Sequence, residues 1–385
     1  MEHSLQVQLA HELLEHIDAG TTCLADNVAT NPTANYTDLH RLGREMQILF
    51  RRYPLMMGLG CRIPESGDYF TDDVCGVPIL IVRGHDGDVR AFLNVCRHRG
   101  AHVARGCGHV KRSFVCPYHG WSYDSRGKLV GIPDDRNFDG VDRDAHGLVA
   151  LPARERFGCI WVQPEAGTSF DIGKKLNGLG PELASYGFDN YHHYTTRILH
   201  RRMNWKMLID TFLEAYHFAT LHSETVAPIF LHNVCLFHPF GFNMRETLPR
   251  RSISEMRELP ESEWDLVKHT AIVYILFPNS VIIMQRDHVE IWRVFPVDRR
   301  VDECVAFLDF YIPEPATSES AHEHWRRNLD LTLRTVEEED FPIGEGIQRG
   351  LLSGAQDHLT YGRNEPALQH WQKSVSAALA DPDRM

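Results

Sequence analysis

The chain has no surplus of positive charge. Its 385 residues carry 40 Lys and Arg against 52 Asp and Glu, a formal net charge of -12. That balance excludes partners held by bulk electrostatics, so neither nucleic acid nor an anionic membrane surface is expected. Long apolar runs are missing too. The stretch Ala271 to Phe277 is far short of the roughly 20 residues needed to span a bilayer. The opening Met1-Glu2-His3-Ser4 has no basic region leading into an apolar one, so no signal peptide is expected and the setting is read as cytoplasmic and reducing. The nine cysteines are odd in number and lack the spacing of a disulfide framework. Gly58-Leu59-Gly60 lacks the third glycine and the strand–helix context of a dinucleotide fingerprint. What is plentiful is histidine, with 23 residues, and this turns attention to metal sites.

At about 150 residues per domain, the length suggests two to three domains. With 43% hydrophobic and 24% charged residues, the composition is that of an ordinary globular protein. Leu5, Leu9, Leu13 and Ile17 form one helical stripe, and Leu39, Leu42, Met46, Leu49 and Phe50 a second, with Asn31-Pro32 between them. Residues 1–50 are therefore read as N-terminal helices. Residues 51–165 carry short β-rich runs (Val77 to Val82, Val89 to Val95, Ser113 to Val115, Cys159 to Val162) punctuated by glycine and proline, which predicts a small antiparallel β domain. A stretch rich in Gly, Pro and Ser near Pro164 to Gly187 marks a boundary. In residues 166–385, Trp205 to His222, Glu323 to Asp340 and Leu368 to Ala380 read as helices. Ala271 to Phe277, Ser280 to Gln285, His288 to Val294 and Val305 to Ile312 read as strands. The expected class is α+β, with an antiparallel sheet flanked by helices in the larger domain.

Two constellations carry chemistry. The first is Cys96-Arg97-His98 followed, after seventeen residues, by Cys116-Pro117-Tyr118-His119. Two Cys and two His in paired tight loops suit zinc. They equally suit a [2Fe-2S] cluster with two thiolates on one iron and two imidazoles on the other. Gly100 and Gly120 favour the cluster, because glycine lets backbone N–H groups approach the sulfurs. The intervening His102, Cys107 and His109 fit neither pair. The second constellation is Asp210, Glu214, His217 and His222. The first three share a helical face by spacing, whereas His222 lies about 140° from His217 on a regular helix. Both imidazoles can meet one ion only if the helix bulges or breaks between Phe218 and His222. Two histidines require a carboxylate to complete the facial triad of a non-heme Fe(II) oxygenase, and Glu337-Glu338-Glu339-Asp340 supplies candidates. The apolar stripe of Leu208, Phe212, Leu213 and Phe218 reads as core.

Cys96-Arg97-His98-Arg99-Gly100-Ala101 and Cys116-Pro117-Tyr118-His119-Gly120-Trp121-Ser122-Tyr123, with Gly127-Lys128-Leu129 after them, resemble the Rieske domain of ring-hydroxylating non-heme iron oxygenases. Glu214, His217 and His222 are similar to that family's catalytic motif. The resemblance implies Cys96 and Cys116 on one iron, His98 and His119 on the other, and His217, His222 and Asp340 on a mononuclear Fe(II). Asp340 precedes Gln348 by eight residues as in the family, and Asp357 is the fallback. Glu214 stands where many relatives have Asp, and Thr211 where many have Asn. The resemblance further implies a head-to-tail homotrimer in which Glu214 bridges to His98 or His119 of the next subunit.

Function follows as an expectation. The chain is a terminal oxygenase using O2 and electrons relayed from NAD(P)H. Without a nucleotide fingerprint of its own, it leaves NAD(P)H and flavin to a separate reductase, with or without a ferredoxin. Arg97, Arg99, Arg105, Lys111, Arg112, Arg126 and Lys128, against Asp124 alone, offer a basic collar for an acidic donor. Apolar pocket candidates (Leu213, Leu221, Val226, Ile229, Phe230, Ile275, Phe277, Asn279 and Ile283) point to hydroxylation of an aromatic or lipophilic small molecule, as in aromatic hydrocarbon catabolism. The alternatives are an oxidative N- or O-demethylase, including one for quaternary ammonium compounds, and a non-catalytic Rieske electron carrier.

Overall fold

Runs of Val, Ile and Leu cut by glycine turns pair as antiparallel ladders from Phe50 to Ile172, the first of two units into which the chain divides. The second unit joins Met1–Leu49 to the chain from Gly173 onward. The structure is a computed structural model and describes residues 1–382, so the last three residues of the segment 166–385 lie outside the described residues.

In the first unit, a five-stranded sheet runs in the order Ala150–Leu151, Val89–Leu93, Val77–Arg83, Asp68–Val74, Cys107–His109. A three-stranded sheet of Ala153–Arg156, Cys159–Val162 and Leu55–Leu59 accompanies it. A second, smaller three-stranded sheet is built from Phe114–Val115, Ser122–Tyr123 and Leu129–Gly131. The core that joins them contains Leu80, Phe92, Trp121 and Tyr123, and it also takes in Cys96 and Cys116.

The second unit is organised by a seven-stranded antiparallel sheet. Its order is His192–Arg201, Arg300–Ile312, Val289–Val297, Ser280–Met284, Thr270–Leu276, Asn243–Pro249, Leu236–Phe240. Four of these strands coincide with those expected from sequence. His192–Arg201, Leu236–Phe240 and Asn243–Pro249 are not expected from sequence, since polar residues hide the strand period in the first and third and Pro239 interrupts the short second. The helices Glu319–Arg334, Phe341–Leu352 and Pro366–Ala380 belong to the same unit. The helix His3–Ala19 buries Leu9 and Leu13 against Leu236, Ile253 and Met256. The helix Leu39–Ile48 is tied in by a buried ion pair, with Lys206 Nζ 2.7 and 2.8 Å from the two Glu45 carboxylate oxygens and Trp205 Nε1 donating to the same group at 2.8 Å. Among the described residues no helix is long and apolar enough to cross a membrane. The class is α+β, with helices and antiparallel sheets as the sequence implies.

Candidate metal centres

The two Cys–His loops have the same backbone design. Cys96 N–H donates to Ala101 O at 2.8 Å and Gly100 N–H to Cys96 O at 2.9 Å, while Cys116 N–H donates to Trp121 O at 2.8 Å and Gly120 N–H to Cys116 O at 3.0 Å. Each loop closes through a left-handed glycine, with φ of 80° at Gly100 and 76° at Gly120. A Cβ at Gly120 would also lie 2.9 Å from Pro133 Cγ. Cys96 and Cys116 are buried, while His98 and His119 are only half buried with ring centroids 4.6 Å apart. His98 is stacked on Trp121 at 4.9 Å and 7°. Tyr123 OH lies 3.3 Å from Cys96 Sγ and accepts from Arg97 N–H at 3.0 Å. Burial raises the pKa of the Cys116 thiol, the Tyr118 amide aimed at its sulfur opposes this, and the adjoining Cys96 thiol adds to the rise. Two adjacent buried thiols, that of Cys116 facing the Tyr118 and His119 N–H groups, beside two half-buried imidazoles fit a cluster that would take two thiolates and two imidazoles.

The catalytic unit gathers three donors. His217 Nε2 and His222 Nε2 are 3.1 Å apart, and Asp340 Oδ1 lies 3.5 and 3.1 Å from them. Their outer nitrogens are occupied: His217 Nδ1 bonds Glu214 Oε1, and His222 Nδ1 bonds Glu339 Oε2 at 2.5 Å. Carboxylates at both Nδ1 positions hold the protons there and aim both Nε2 lone pairs at Asp340. Two imidazoles and one carboxylate converging on one point fit the facial triad of a non-heme iron oxygenase.

The helical reading of Trp205 to His222 is corrected. The helix ends at Asp210 and resumes only as Phe218–Leu221, with His217 and His222 at the two ends of that single turn. Glu214 explains the break, because its carboxylate accepts from the Tyr216 and His217 N–H groups, bonding that competes with the helix ladder. Thr211 Oγ1 donates to Leu208 O at 2.8 Å at the same break. Asp210 therefore does not share a face with Glu214. It is bonded instead to Tyr36 and Gln372, and burial pushes its carboxyl up to about 7. The π geometry falls elsewhere, at Thr335–Asp340, between two α-helices. There it brings successive acids to one site, Glu339 to His222 Nδ1 and Asp340 to both Nε2 atoms. Gln348 accepts from the Asn204 N–H at 3.0 Å, linking the Asp340 helix to the helix Trp205–Asp210. Asp357 is exposed, bonds His358 and takes no part.

A cavity of about 330 Å³ opens at the triad. Val226, Ile229, Phe230 and Ile283 line it, but Leu213, Leu221, Ile275, Phe277 and Asn279 are not among its lining residues. Phe212 and Phe218, read from sequence as core, also line it. A polar wall absent from the sequence reading completes it. Its Glu290 accepts from Thr332 Oγ1 at 2.9 Å, Trp292 Nε1 at 3.2 Å and Gln285 Nε2 at 3.2 Å. His288 sits between Asp287 and Glu290. Burial opposes charge on His288, but the two carboxylates outweigh it and raise its pKa; against the same burial, His288 and His324 draw Asp287 down to about 2. Strand alternation could have flagged Glu290, whereas Glu339 gave no signal beyond its place in an acidic run.

Family models match two regions, a Rieske [2Fe-2S] domain over residues 57–149 and a ring hydroxylating alpha subunit (catalytic domain) over residues 188–381. The glycine betaine monooxygenase oxygenase subunit of Chromohalobacter salexigens is 34% identical over 197 residues, which cover 50% of this chain and 43% of that protein. The carnitine monooxygenase oxygenase subunit of Escherichia coli K12 is 29% identical over 370 residues, covering 91% and 94%. The crystal structure of a quaternary ammonium Rieske monooxygenase with L-carnitine superposes with a TM-score of 0.78 at 21% identity, over 93% of this chain and 97% of that one. Naphthalene 1,2-dioxygenase with indole gives 0.70 at 19% identity, over 92% and 95%. Two iron centres, one a Rieske [2Fe-2S] cluster and one a mononuclear iron, are therefore this oxygenase's cofactors, and the chain belongs to the ring-hydroxylating alpha-subunit family of Rieske non-heme iron oxygenases.

Proposed function

We propose that this enzyme is a monooxygenase of quaternary ammonium compounds, oxidising a carbon bound to the ammonium nitrogen. The observation that carries this is the composition of the cavity. Phe212, Phe218 and Phe230 line it together with the triad, and Arg250, Arg286, Asp287, His288 and Glu290 bring charge to it. Aromatic faces suit a cation that cannot donate hydrogen bonds. A hydrocarbon offers these charged groups no partner in place of the water it displaces, which is costly. The names of the glycine betaine and carnitine relatives support the same reading over hydroxylation of an aromatic compound.

In this reading Cys96, Cys116, His98 and His119 hold the cluster, and His217, His222 and Asp340 hold the iron. When bound, the two centres supply one electron each to activate O2. Glu214 and Glu339 fix the two imidazole rings, while Phe218, with its ring 5.2 Å from His217 and 6.0 Å from His222, covers the site against water. One oxygen atom enters a C–H bond and the other leaves as water, with two electrons and two protons consumed. At an N-methyl group the resulting carbinol collapses to the tertiary amine, formaldehyde and a proton.

The wider assignments belong to the same proposal. Residues 51–165 form the Rieske domain, 166–385 the catalytic domain, and 1–50 helices that pack on the latter. The enzyme is a cytoplasmic head-to-tail homotrimer, Glu214 bridges to His98 or His119 of the partner subunit, and a ferredoxin or flavin reductase docks on the exposed basic collar. The test is oxygen uptake by the iron-loaded chain with a surrogate ferredoxin and reductase. Ammonium compounds should drive uptake, with formaldehyde wherever an N-methyl group is attacked. Uptake driven only by indole or biphenyl, giving ring-hydroxylated products, would sink the reading.

A further inference from the structure

Strand alternation places Arg250 on the cavity. Residues 246, 248 and 250 fall on one face of the sheet, and both Leu248 and Arg250 line the pocket. The Arg250 guanidinium lies over the Phe230 ring, 4.6 Å from its centroid, and its bonded partners are neutral. Nη2 donates to Gln285 Oε1 at 2.6 Å and Nε to Thr270 O at 3.3 Å. Among the described residues no carboxylate pairs with it, although it is half buried. The acids nearby are already committed. Glu290 takes donors from Gln285, His288, Trp292 and Thr332, and Asp287 takes them from His288, His324 and Asn328. Arg286 lines the same cavity and likewise has no carboxylate partner among the described residues. Counting His288 as charged, the wall holds Arg250, Arg286 and His288 against Asp287 and Glu290, an excess of one positive charge. Asp287 and Glu290 are near enough to favour the Arg250 charge but neither contacts it, a partly desolvated guanidinium is costly, and its planar fork matches a carboxylate.

We infer that Arg250, held by Gln285 and reinforced by Arg286, is the anchor for a carboxylate on the substrate, so that the enzyme prefers ammonium compounds that also carry a carboxylate over those that do not. This deepens the ammonium reading and rests on it for the other end of the substrate. Gln285 is the positioning residue, since it accepts from Arg250 and donates to Glu290 and so fixes the guanidinium plane. The substrate would lie with its carboxylate on Arg250 and its ammonium group toward Phe212 and Phe218, since the Phe230 ring already carries the guanidinium.

The experiment compares glycine betaine and L-carnitine with choline, which has no carboxylate, and with benzoate, which has no ammonium group. Oxygen uptake and calorimetric binding are both measured on the iron-loaded full chain. Wild type should favour the carboxylate-bearing ammonium compounds over choline by at least tenfold in kcat/KM. Arg250→Gln should cut that preference at least tenfold, mainly through KM, and Arg250→Lys should restore part of it. Equal losses for choline and the carboxylates, or a wild-type preference for choline, would overturn the anchor while leaving the ammonium reading intact. Benzoate turnover that depends on Arg250, with every ammonium compound inert, would keep the anchor and overturn the ammonium reading. A chain that turns over none of the four is judged by calorimetry. Arg250-dependent binding of the carboxylates supports the anchor, and its absence at millimolar concentration refutes it.

Discussion

Glu246 gives a demanding test of the electrostatics beneath the cavity. It lies in the strand Asn243–Pro249, paired across the sheet with Val273, whose own neighbours in the row are Ile283 and Glu290. It is fully buried, and neither carboxylate oxygen has a hydrogen-bond partner; the Cys235 thiol, a weak donor, is its polar neighbour. Burial first, and the Glu214 carboxylate second, push its carboxyl from 4.5 up to about 8. In the unfolded chain this acid releases its proton near 4.5, and in the fold it keeps it to about 8. The folded state is therefore most favoured below the lower value and loses stability as pH rises through the higher one. At 1.36 kcal/mol per pH unit, the loss is on the order of 5 kcal/mol. Glu246→Gln keeps the shape and cannot ionise, so it escapes this loss. The unit that holds Glu246 has roughly 260 residues, and at about 2.1 cal/mol/K per residue its unfolding entropy is about half a kcal/mol per kelvin. Most of that loss, about 4 kcal/mol, falls between pH 5 and pH 9, so over that range the variant should gain on the order of 7 °C in melting temperature over wild type. Paired melts of the loaded proteins, followed by near-UV circular dichroism, measure this, because linkages to iron and cluster are common to both chains and cancel. A gap that does not change with pH would refute the buried neutral carboxyl.

Asp340→Ala should leave the cluster's paramagnetic spectrum intact and remove the third iron, as metal analysis would show; loss of cluster iron instead would argue against the separation of the two centres. Gly120→Ala forces a left-handed residue at a cost of about 1–2 kcal/mol and drives a Cβ toward Pro133, so visible absorbance from the cluster should fall while the mononuclear site still loads. Glu45→Gln leaves Lys206 buried without its counter-charge, which should cost about 3–5 kcal/mol. A melting temperature unchanged from wild type would mean that the ion pair contributes nothing to joining the helix Leu39–Ile48 to the helix Trp205–Asp210.

The parts of this molecule that were legible in the sequence are those in which neighbours in the chain are neighbours in space. Cys96 to His98 and Cys116 to His119 each sit in one tight loop, so the donor set can be read directly from the residues. The strand Thr270–Leu276 is apolar throughout and buried on both faces, so composition alone marks it. The strand Asn243–Pro249 is equally buried yet reads Asn-Met-Arg-Glu-Thr-Leu-Pro, and no hydrophobic period reveals it. His192–Arg201 escapes for a different reason, since it is an edge strand whose exposed positions are polar apart from Ile198.

The errors fall where local preference and the site conflict. Helical spacing from Trp205 to His222 predicts a helix that bulges or breaks only between Phe218 and His222, but Glu214 turns its carboxylate back on the Tyr216 and His217 amides and the helix stops earlier, at Asp210. That bond is local, but it forms because the same carboxylate must also hold His217 Nδ1, whose ring is fixed in turn by His222 and Asp340 from farther along the chain. The π turn at Thr335–Asp340 follows the same logic, since it delivers both Glu339 and Asp340 to a site where a regular α-helix would set successive side chains about 100° apart. Polar residues inside the Asn243–Pro249 strand break the strand pattern, and Arg250, just past its end, carries charge to the cavity. Departures from local rules that persist in a folded chain are expected at functional sites, where other contacts offset their cost. Here they concentrate around one cavity, and its two walls answer to different constraints. The triad wall is fixed by iron, which the family shares. The wall of Arg250, Gln285 and Glu290 holds no part of the iron site, so selection by substrate is the constraint left to explain its charge.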